Sequence, residues 1–362
     1  MSDLWDALER KRHEIPPEAG AFERLLRARR SRQRRRTTAA IVAVAALVAP
    51  IGWAVVSLDA LRGEDLPAEG SMPVIERIFR PGLGAMAGIA VLDGDAWVGS
   101  SSIPGVVRLN GLTGAVDDSV RVHRFPEVDV QTHQLISDVV AAFGSIWVIE
   151  NEEGTLTRVD PTTGHLTATV RVDPFPTRVA AGAGALWVIN SSGTVNRIDP
   201  STDRVVATVP LPADMTGVAI AGDDAGIWVC GEGGWIVRID PGTNGLGVRV
   251  KMQEAPTAVA VGDDAVWVAQ RFEHAVFQLD PQSGAVIARY DVGWSPSSIV
   301  VAAGRAWVAS VDGTLASIDP TSGDVSTPTR ISSRVDSMTH DEGLVWTLDA
   351  AERSLTRVRL SG

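Results

Sequence analysis

Two histidines and two carboxylates lie close together in the segment Arg121–Gln134, which reads RVHRFPEVDVQTHQ. Imidazole nitrogens and carboxylate oxygens are the groups that divalent metals such as zinc bind in proteins. The candidate ligands are His123, Glu127, Asp129 and His133. Their spacing matches no established ligand motif, so a plain surface loop is the alternative. We expect no resident cofactor, with a divalent metal at this loop as the one possibility left open.

Other polar and aromatic side chains stand in or beside the short segments between predicted strands. Amide, guanidinium and indole groups at such positions can hold a ligand, whereas loop solvation and turn formation are the alternative roles. The candidate ligand-binding residues are Asn151, Asn190, Gln270, Arg271 and Trp294. The single cysteine, Cys230, lies in an apolar run, which predicts a small buried residue and not a nucleophile.

The elements that would position these side chains repeat along the chain. Seven tryptophans in short apolar runs stand at positions 97, 147, 187, 228, 267, 307 and 346. An Asp-Pro pair follows five of them by 12 or 13 residues, at 160, 199, 240, 280 and 319. Aspartate accepts backbone N–H groups at a turn, and proline presets φ. The third residue after each proline is Gly, Asp or Asn, the types that best tolerate positive φ. Each pair therefore predicts a hairpin turn.

The repeat unit divides into four short strands. In Thr177–Pro212 these are TRVAA, ALWVI, TVNRI and RVVATV, which we call strands A to D. Four short strands every forty residues or so are typical of a β-propeller blade, in which the strand-B tryptophan fills the gap between blades. The chain ends on a strand C, and residues 74–80 resemble the missing strand D, so the N-terminal segment is predicted to complete the last blade. The fold class is thus an all-β, seven-bladed β-propeller.

The motif Trp187-Val188 followed by Gly193-Thr194 and Arg197-Ile198-Asp199-Pro200 resembles that of the YncE-like and virginiamycin-B-lyase-like seven-bladed propellers. The similarity covers roughly residues 72–362. The resemblance implies the fold, in a superfamily that contains both binding proteins and a lyase. The lyase would imply a metal-assisted elimination by histidine and glutamate near the channel mouth. Its nearest matches here are Glu273, His274 and His340, without the paired arrangement on adjacent blades, so we lean against an enzyme.

The N-terminal region predicts a membrane anchor. Residues 1–36 hold 11 basic against 6 acidic residues, and six of the eight residues in Arg29–Arg36 are arginine. The 22 residues of Thr37–Leu58 carry no charge, and as a helix they would span about 33 Å, against about 30 Å of hydrocarbon. The positive-inside rule places the N-terminus in the cytoplasm and the propeller outside. We predict a single-pass signal anchor in the cell membrane, with Arg29–Arg36 on anionic lipid headgroups and no nucleic-acid partner.

Four regions follow from these patterns: a cytoplasmic basic helical segment (1–36), a transmembrane helix (37–58), a linker (59–72) and the propeller (73–362). Residues 1–28 contain two short amphipathic patterns that could lie on the membrane or dock on a cytoplasmic partner. This segment loosely resembles the N-termini of actinobacterial membrane proteins that include anti-sigma-like regulators.

The sequence favours a binding, scaffolding or sensing module. In a propeller, the face that carries the D–A and B–C loops usually binds ligands, and here it would point away from the membrane. We expect an extracellular protein or small molecule as the partner. A virginiamycin-B-lyase-like or other small-molecule enzyme is one alternative, and anti-sigma-like signalling through the N-terminal helices is another.

Overall fold

The computed structural model describes residues 73–100, 105–122, 136–262, 264–341 and 343–360. Its 28 strands form seven four-stranded antiparallel sheets, the blades. Blade 1 contains β2 (Met86–Leu92), β3 (Asp95–Ser100), β4 (Gly105–Leu109) and β5 (Val116–Arg121). Blade 2 contains β6 (Ile136–Ala142), β7 (Ser145–Glu150), β8 (Thr155–Val159) and β9 (Leu166–Arg171). Blade 3 contains β10 (Pro176–Gly182), β11 (Ala185–Asn190), β12 (Thr194–Asp199) and β13 (Arg204–Pro210).

The remaining blades follow the same order of strands A to D. Blade 4 contains β14 (Gly217–Gly222), β15 (Ile227–Gly231), a 3₁₀ turn (Glu232–Gly234), β16 (Trp235–Asp240) and β17 (Gly245–Lys251). Blade 5 contains β18 (Ala258–Gly262), β19 (Ala265–Gln270), β20 (Ala275–Leu279) and β21 (Val286–Asp291). Blade 6 contains β22 (Pro296–Ala302), β23 (Arg305–Ser310), β24 (Thr314–Ile318) and β25 (Thr329–Arg330). Blade 7 contains β26 (Ser337–Asp341), β27 (Leu344–Asp349), β28 (Ser354–Arg359) and β1 (Val74–Phe79).

The ring closes through the first strand of the propeller. β1 pairs with β28 as the outermost strand of blade 7, which confirms the closure predicted for residues 74–80. Phe79 at the end of β1 is buried and stacks on Trp346, with ring centroids 5.6 Å apart. Glu76 forms an ion pair with Arg357 at 2.9 Å, and a second with Arg359. Closure therefore joins the two ends of the propeller by backbone pairing, stacking and charge.

The seven repeated tryptophans lie in the apolar layers between blades, as predicted. Each sits on strand B and is at most 1% exposed. Trp187 of blade 3 packs in a cluster that includes Ile227, Val229 and Ile239 of blade 4. Trp346 of blade 7 likewise joins the apolar residues of blade 1, so the packing runs around the whole ring.

An arginine on strand C covers the tryptophan in four of the blades. Arg197 pairs across the strands with Trp187, lies 5.1 Å above its ring, and donates from Nη1 to the carbonyl of Pro241 in the next blade. Arg108, Arg158 and Arg357 repeat this arrangement in blades 1, 2 and 7. Cation–π contact and an inter-blade hydrogen bond thus reinforce the tryptophan packing at these four interfaces.

The Asp-Pro segments form the predicted turns. In each, the aspartate carboxylate accepts hydrogen bonds from backbone N–H or side-chain groups two and three residues later. The residue three after the proline has positive φ in all five turns, namely Gly164, Asp203, Asn244, Gly284 and Gly323. Asn110 plays the part of the aspartate in blade 1.

The N-terminal predictions fall outside the described residues. Within the described ranges, no helix has the length and apolar character needed to cross a bilayer. The helical segment 1–36, the membrane span 37–58 and the linker 59–72 all precede those ranges and stay predictions.

Replacing Trp187 with alanine should lower the free energy of unfolding by about 3–5 kcal/mol, because a large buried side chain between two blades is lost. Urea denaturation followed by tryptophan fluorescence measures the change. Phe272→Ala is the matched control, since this side chain is 72% exposed, and it should change stability by less than about 0.5 kcal/mol. Equal denaturation midpoints for Trp187→Ala and the wild type would contradict the packing role.

The turn aspartates should make the propeller sensitive to acid. Their hydrogen bonds hold the pKa of Asp160, Asp199, Asp240, Asp280 and Asp319 below the ordinary value of 3.8. Because the folded-state pKa is lowered, this stabilisation is present above the unfolded-state value and is lost as pH falls through the folded-state value.

Replacing these five aspartates with asparagine should keep the turns, as Asn110 does in blade 1, and should reduce the fall of the melting temperature on acidification. Thermal unfolding across the acidic pH range measures this effect. Asp224→Asn, at an exposed position outside these turns, is the control and should leave the profile unchanged. An identical acid profile for the five-site variant and the wild type would refute the assignment.

Candidate functional site

The innermost strands of the blades surround a channel of about 790 Å³. Pockets for small molecules commonly measure about 300–1,000 Å³. All seven A strands run in the same direction, so their first residues lie at the D–A/B–C face and their last residues at the A–B/C–D face. The channel is therefore large enough for a small ligand and has two chemically different mouths.

One tier of residues near the D–A/B–C face sets the chemistry of the channel. In each blade, one residue of strand A pairs across the strands with the strand-B tryptophan. The tier consists of the residue two positions before it, and all seven of these residues line the channel. Going round the ring they are Gly88, Asp138, Arg178, Ala219, Ala258, Ser298 and Ser337. Gly88 is required at its place, because a Cβ there would lie 2.7 Å from the backbone nitrogen of Val139 in the next blade. The tier thus combines one carboxylate, one guanidinium and two hydroxyl groups.

Asp138 joins two neighbouring blades at this tier. Its carboxylate accepts the N–H of Val139 at 3.0 Å and the N–H of Val179 in blade 3 at 3.1 Å. Burial raises the pKa of Asp138 above the ordinary value of 3.8, while the Arg178 charge and the two N–H groups oppose this shift. Asp138 therefore uses both oxygens within the protein.

Two channel arginines have no carboxylate partner among the described residues. The Arg178 guanidinium donates to the carbonyl of Thr177 at 2.9 Å. Arg271 directly follows β19 in the B–C loop of blade 5 and extends to the channel. Its Nε is buried and has no hydrogen-bond partner. An unsatisfied buried polar group is costly, and Arg271 is the charged residue of the described channel lining that is left in this condition.

A third channel arginine is already neutralised. Arg334, in the loop that precedes β26, forms an ion pair with Asp336. The other oxygen of Asp336 accepts the N–H of Ala350 at 2.9 Å. Arg334 and Asp336 therefore form a pair that fixes the loop against blade 7.

The other predicted ligand-binding residues serve mainly to fix loops. Asn151 donates from Nδ2 to the carbonyl of Pro176 at 2.9 Å and so joins blades 2 and 3. Asn190 and Gln270 are the last residues of their B strands, and both are fully buried. Asn190 donates to Asn196 Oδ1 at 3.0 Å, and Gln270 donates to the carbonyl of Glu254 at 2.6 Å. Both side chains are buried, with the amide nitrogen bonded to a neighbouring segment, while Asn190 Oδ1 and Gln270 Oε1 have no hydrogen-bond partner among the described residues. Their predicted ligand-binding role stays a prediction.

Trp294, a candidate for ligand binding or for packing of its loop, contributes mainly to packing. It is half-buried in the D–A loop between blades 5 and 6 and packs against their apolar cluster, which includes Trp267 and Ile299. Its Nε1 is buried without a hydrogen-bond partner. Packing therefore accounts for most of this side chain.

The structure does not bring the candidate catalytic residues together. Glu273 lies in the B–C loop of blade 5, 3.6 Å from the Arg289 guanidinium. His274 is in the same loop, with Nδ1 3.4 Å from Ser295 Oγ. His340 lies near the end of β26, beside the opposite mouth of the channel. Burial lowers the pKa of His340, and the Asp341 carboxylate opposes this.

The structure leaves the predicted metal site untested. His123, Glu127, Asp129 and His133 lie outside the described residues. Elsewhere, in the part of the chain that is described, no group of three or more His, Cys, Asp or Glu side chains could hold a metal ion.

The cysteine prediction is confirmed. Cys230 is fully buried in β15, and burial raises the pKa of its thiol. Because the thiolate is the reactive form, this residue is unsuited to act as a nucleophile.

Sequence reasoning missed Asp138 and Arg178. Both stand inside strand A, directly before an apolar run, and neither belongs to a recognised motif. Aligning the seven A strands on their tryptophans would have placed the two charges at the same tier of the channel. A charge in an otherwise apolar strand at a channel-facing position is therefore the signal that could have found them.

Comparison with known proteins supports the fold alone. No family profile and no curated protein matches the sequence. A chain from the crystal structure of a mitotic checkpoint complex aligns with 86% of this chain and all of its own length, with a TM-score of 0.67 and 14% identity. In total, 1641 chains of solved structures match, so this architecture is shared too widely to indicate one function.

Proposed function

We propose that this chain is a membrane-anchored, extracytoplasmic binding module whose ligand enters the channel from the D–A/B–C face. The observation that carries the proposal is the channel of about 790 Å³, in whose wall Arg178 and Arg271 have no carboxylate partner among the described residues. Other polar groups of this face, such as Asp138 and Asn151, hold neighbouring blades together. A concave site with a few uncommitted polar groups is the usual form of a small-molecule site.

The membrane part of the proposal rests on the sequence. Arg29–Arg36 and the uncharged segment 37–58 favour a single-pass anchor with a cytoplasmic N-terminus. β1 begins at the A–B/C–D face and follows the linker 59–72. On this proposal the ligand is an extracellular small molecule or protein.

The alternatives have less support. The YncE-like and virginiamycin-B-lyase-like resemblance rests on the repeat motif, which the packing of the blades explains. A lyase-like reaction would need the histidines and the glutamate at one mouth, whereas His340 lies at the other mouth from Glu273 and His274. Anti-sigma-like signalling would depend on residues 1–28 and a cytoplasmic partner.

A thermal-shift screen of the full-length chain tests binding, using a panel of small carboxylates, phosphates, amines, polyols and sugars. At least one class should raise the melting temperature. Ser298→Phe, which fills the channel at its charged tier, should abolish that shift. Val206→Phe, at an exposed position on the outer strand β13, is the matched control and should retain it. If no compound shows this difference between the variants, the channel is not a small-molecule site.

Cysteine labelling in intact cells tests the membrane topology. The buried Cys230 should give no background with a membrane-impermeant maleimide. Leu112→Cys, at a turn position that is 71% exposed, should be labelled from outside, whereas Ser2→Cys should react only after lysis. Labelling of Leu112→Cys only after lysis would overturn the extracytoplasmic placement.

A further inference from the structure

The charges that line the channel leave an excess of guanidinium groups. Arg334 is paired with Asp336, and the carboxylate of Asp138 is held by two backbone N–H groups. Arg178 and Arg271 have no ion pair among the described residues. The channel lining carries three arginines against two aspartates, and the Arg178 charge acts on the nearby Asp138 carboxylate. Arg271 is therefore the guanidinium that the described carboxylates leave unbalanced.

Arg271 is poorly explained as a structural residue. The arginines that hold blades together, such as Arg197, donate to the neighbouring blade and cover a tryptophan. Arg271 does neither, and its buried Nε has no partner. Keeping such a group costs stability unless another molecule satisfies it. A residue of this kind indicates a ligand that bears hydrogen-bond acceptors.

The overall charge of this protein would repel an anion and not attract one. The chain has a formal net charge of −11, and 38 acidic residues oppose 22 basic ones after position 36. An anion would therefore be selected by the local geometry of the channel. The planar guanidinium fork matches the oxygen pairs of carboxylate and phosphate groups, and Ser298 and Ser337 supply hydroxyl groups at the same tier as Arg178.

We propose that the channel binds a small oxyanion, a compound bearing a carboxylate or phosphate group, whose charged end pairs with Arg271, with Arg178 as a second guanidinium lining the same channel. This inference rests on the proposed function and specifies the class of its ligand. The Arg334–Asp336 pair and Asp138 line the same channel and disfavour a second negative charge beside them, so the remainder of the ligand is uncharged or weakly polar where it meets them.

Isothermal titration of the full-length chain in detergent, at constant ionic strength, tests the proposal with butyrate, inorganic phosphate, butanol and butylamine. Butyrate, phosphate or both should bind, and butanol and butylamine should not. The preference between the two anions identifies a carboxylate or a phosphate ligand. Arg271→Gln and Arg178→Gln should each weaken anion binding by about tenfold or more. Arg249→Gln, which removes the same charge from the exposed outer strand β17, should leave binding unchanged.

Stability supplies a second measurement. Arg271→Met should leave the melting temperature unchanged or raise it, because it removes an unsatisfied buried group. Arg197→Met should lower it, because it removes an inter-blade contact. A melting temperature for Arg271→Met that falls as far as that of Arg197→Met would overturn the ligand role in favour of a structural one.

The binding outcomes separate this inference from the proposed function. If neither anion binds at millimolar concentration, or if all variants bind the anions equally, the oxyanion inference fails. If butanol or butylamine binds instead, and Ser298→Phe abolishes that binding, the channel is still a binding site and only its ligand class is wrong.

Discussion

Burial of the strand-B tryptophan between two blades is the interaction on which the rest of the structure depends. A four-stranded sheet with two apolar faces cannot bury both of them alone, so each blade requires a neighbour on either side. Trp187 shows how this works, since it belongs to blade 3 but packs among residues of blade 4. Repeating the contact seven times leaves no blade with a free face, provided that the ring closes. β1 meets this condition by completing blade 7.

This use of the blade faces determines where function can reside. Side chains on the inner strands mostly pack against the next blade, so the surfaces left over are the loops and the channel. Several polar groups at the loop ends are used in turn to hold neighbouring elements, as Asn151, Asn190 and Gln270 are. The channel lining differs, because Arg178 and Arg271 make no inter-blade hydrogen bond among the described residues. An architecture that matches so many solved chains can therefore acquire a particular ligand through a few positions on its innermost strands.

The closing contacts and the candidate site also lie in different layers of the ring. Closure occurs at the outer edge, through Glu76, Phe79 and the arginines of β28, whereas the charged tier lies on the innermost strands. The apolar part of the channel wall nevertheless reaches the closing contacts, since Met86 and Leu348 line the channel and pack in the same cluster as Phe79.

The sequence by itself determined the repeat, the number of blades, the strand-B core and the turns, because each of these depends on local patterns. The core role of Trp187 and the turn at Asp199-Pro200 can each be predicted from a few neighbouring residues. Other roles could not be predicted in this way. Asn190 and Asn151 look alike as residues at the ends of strands, yet only the packed ring shows that one is fully buried and the other joins two blades. The channel lining likewise required tertiary structure, because Asp138, Arg178 and Arg271 are far apart in sequence and line one channel only once the blades are arranged in a ring.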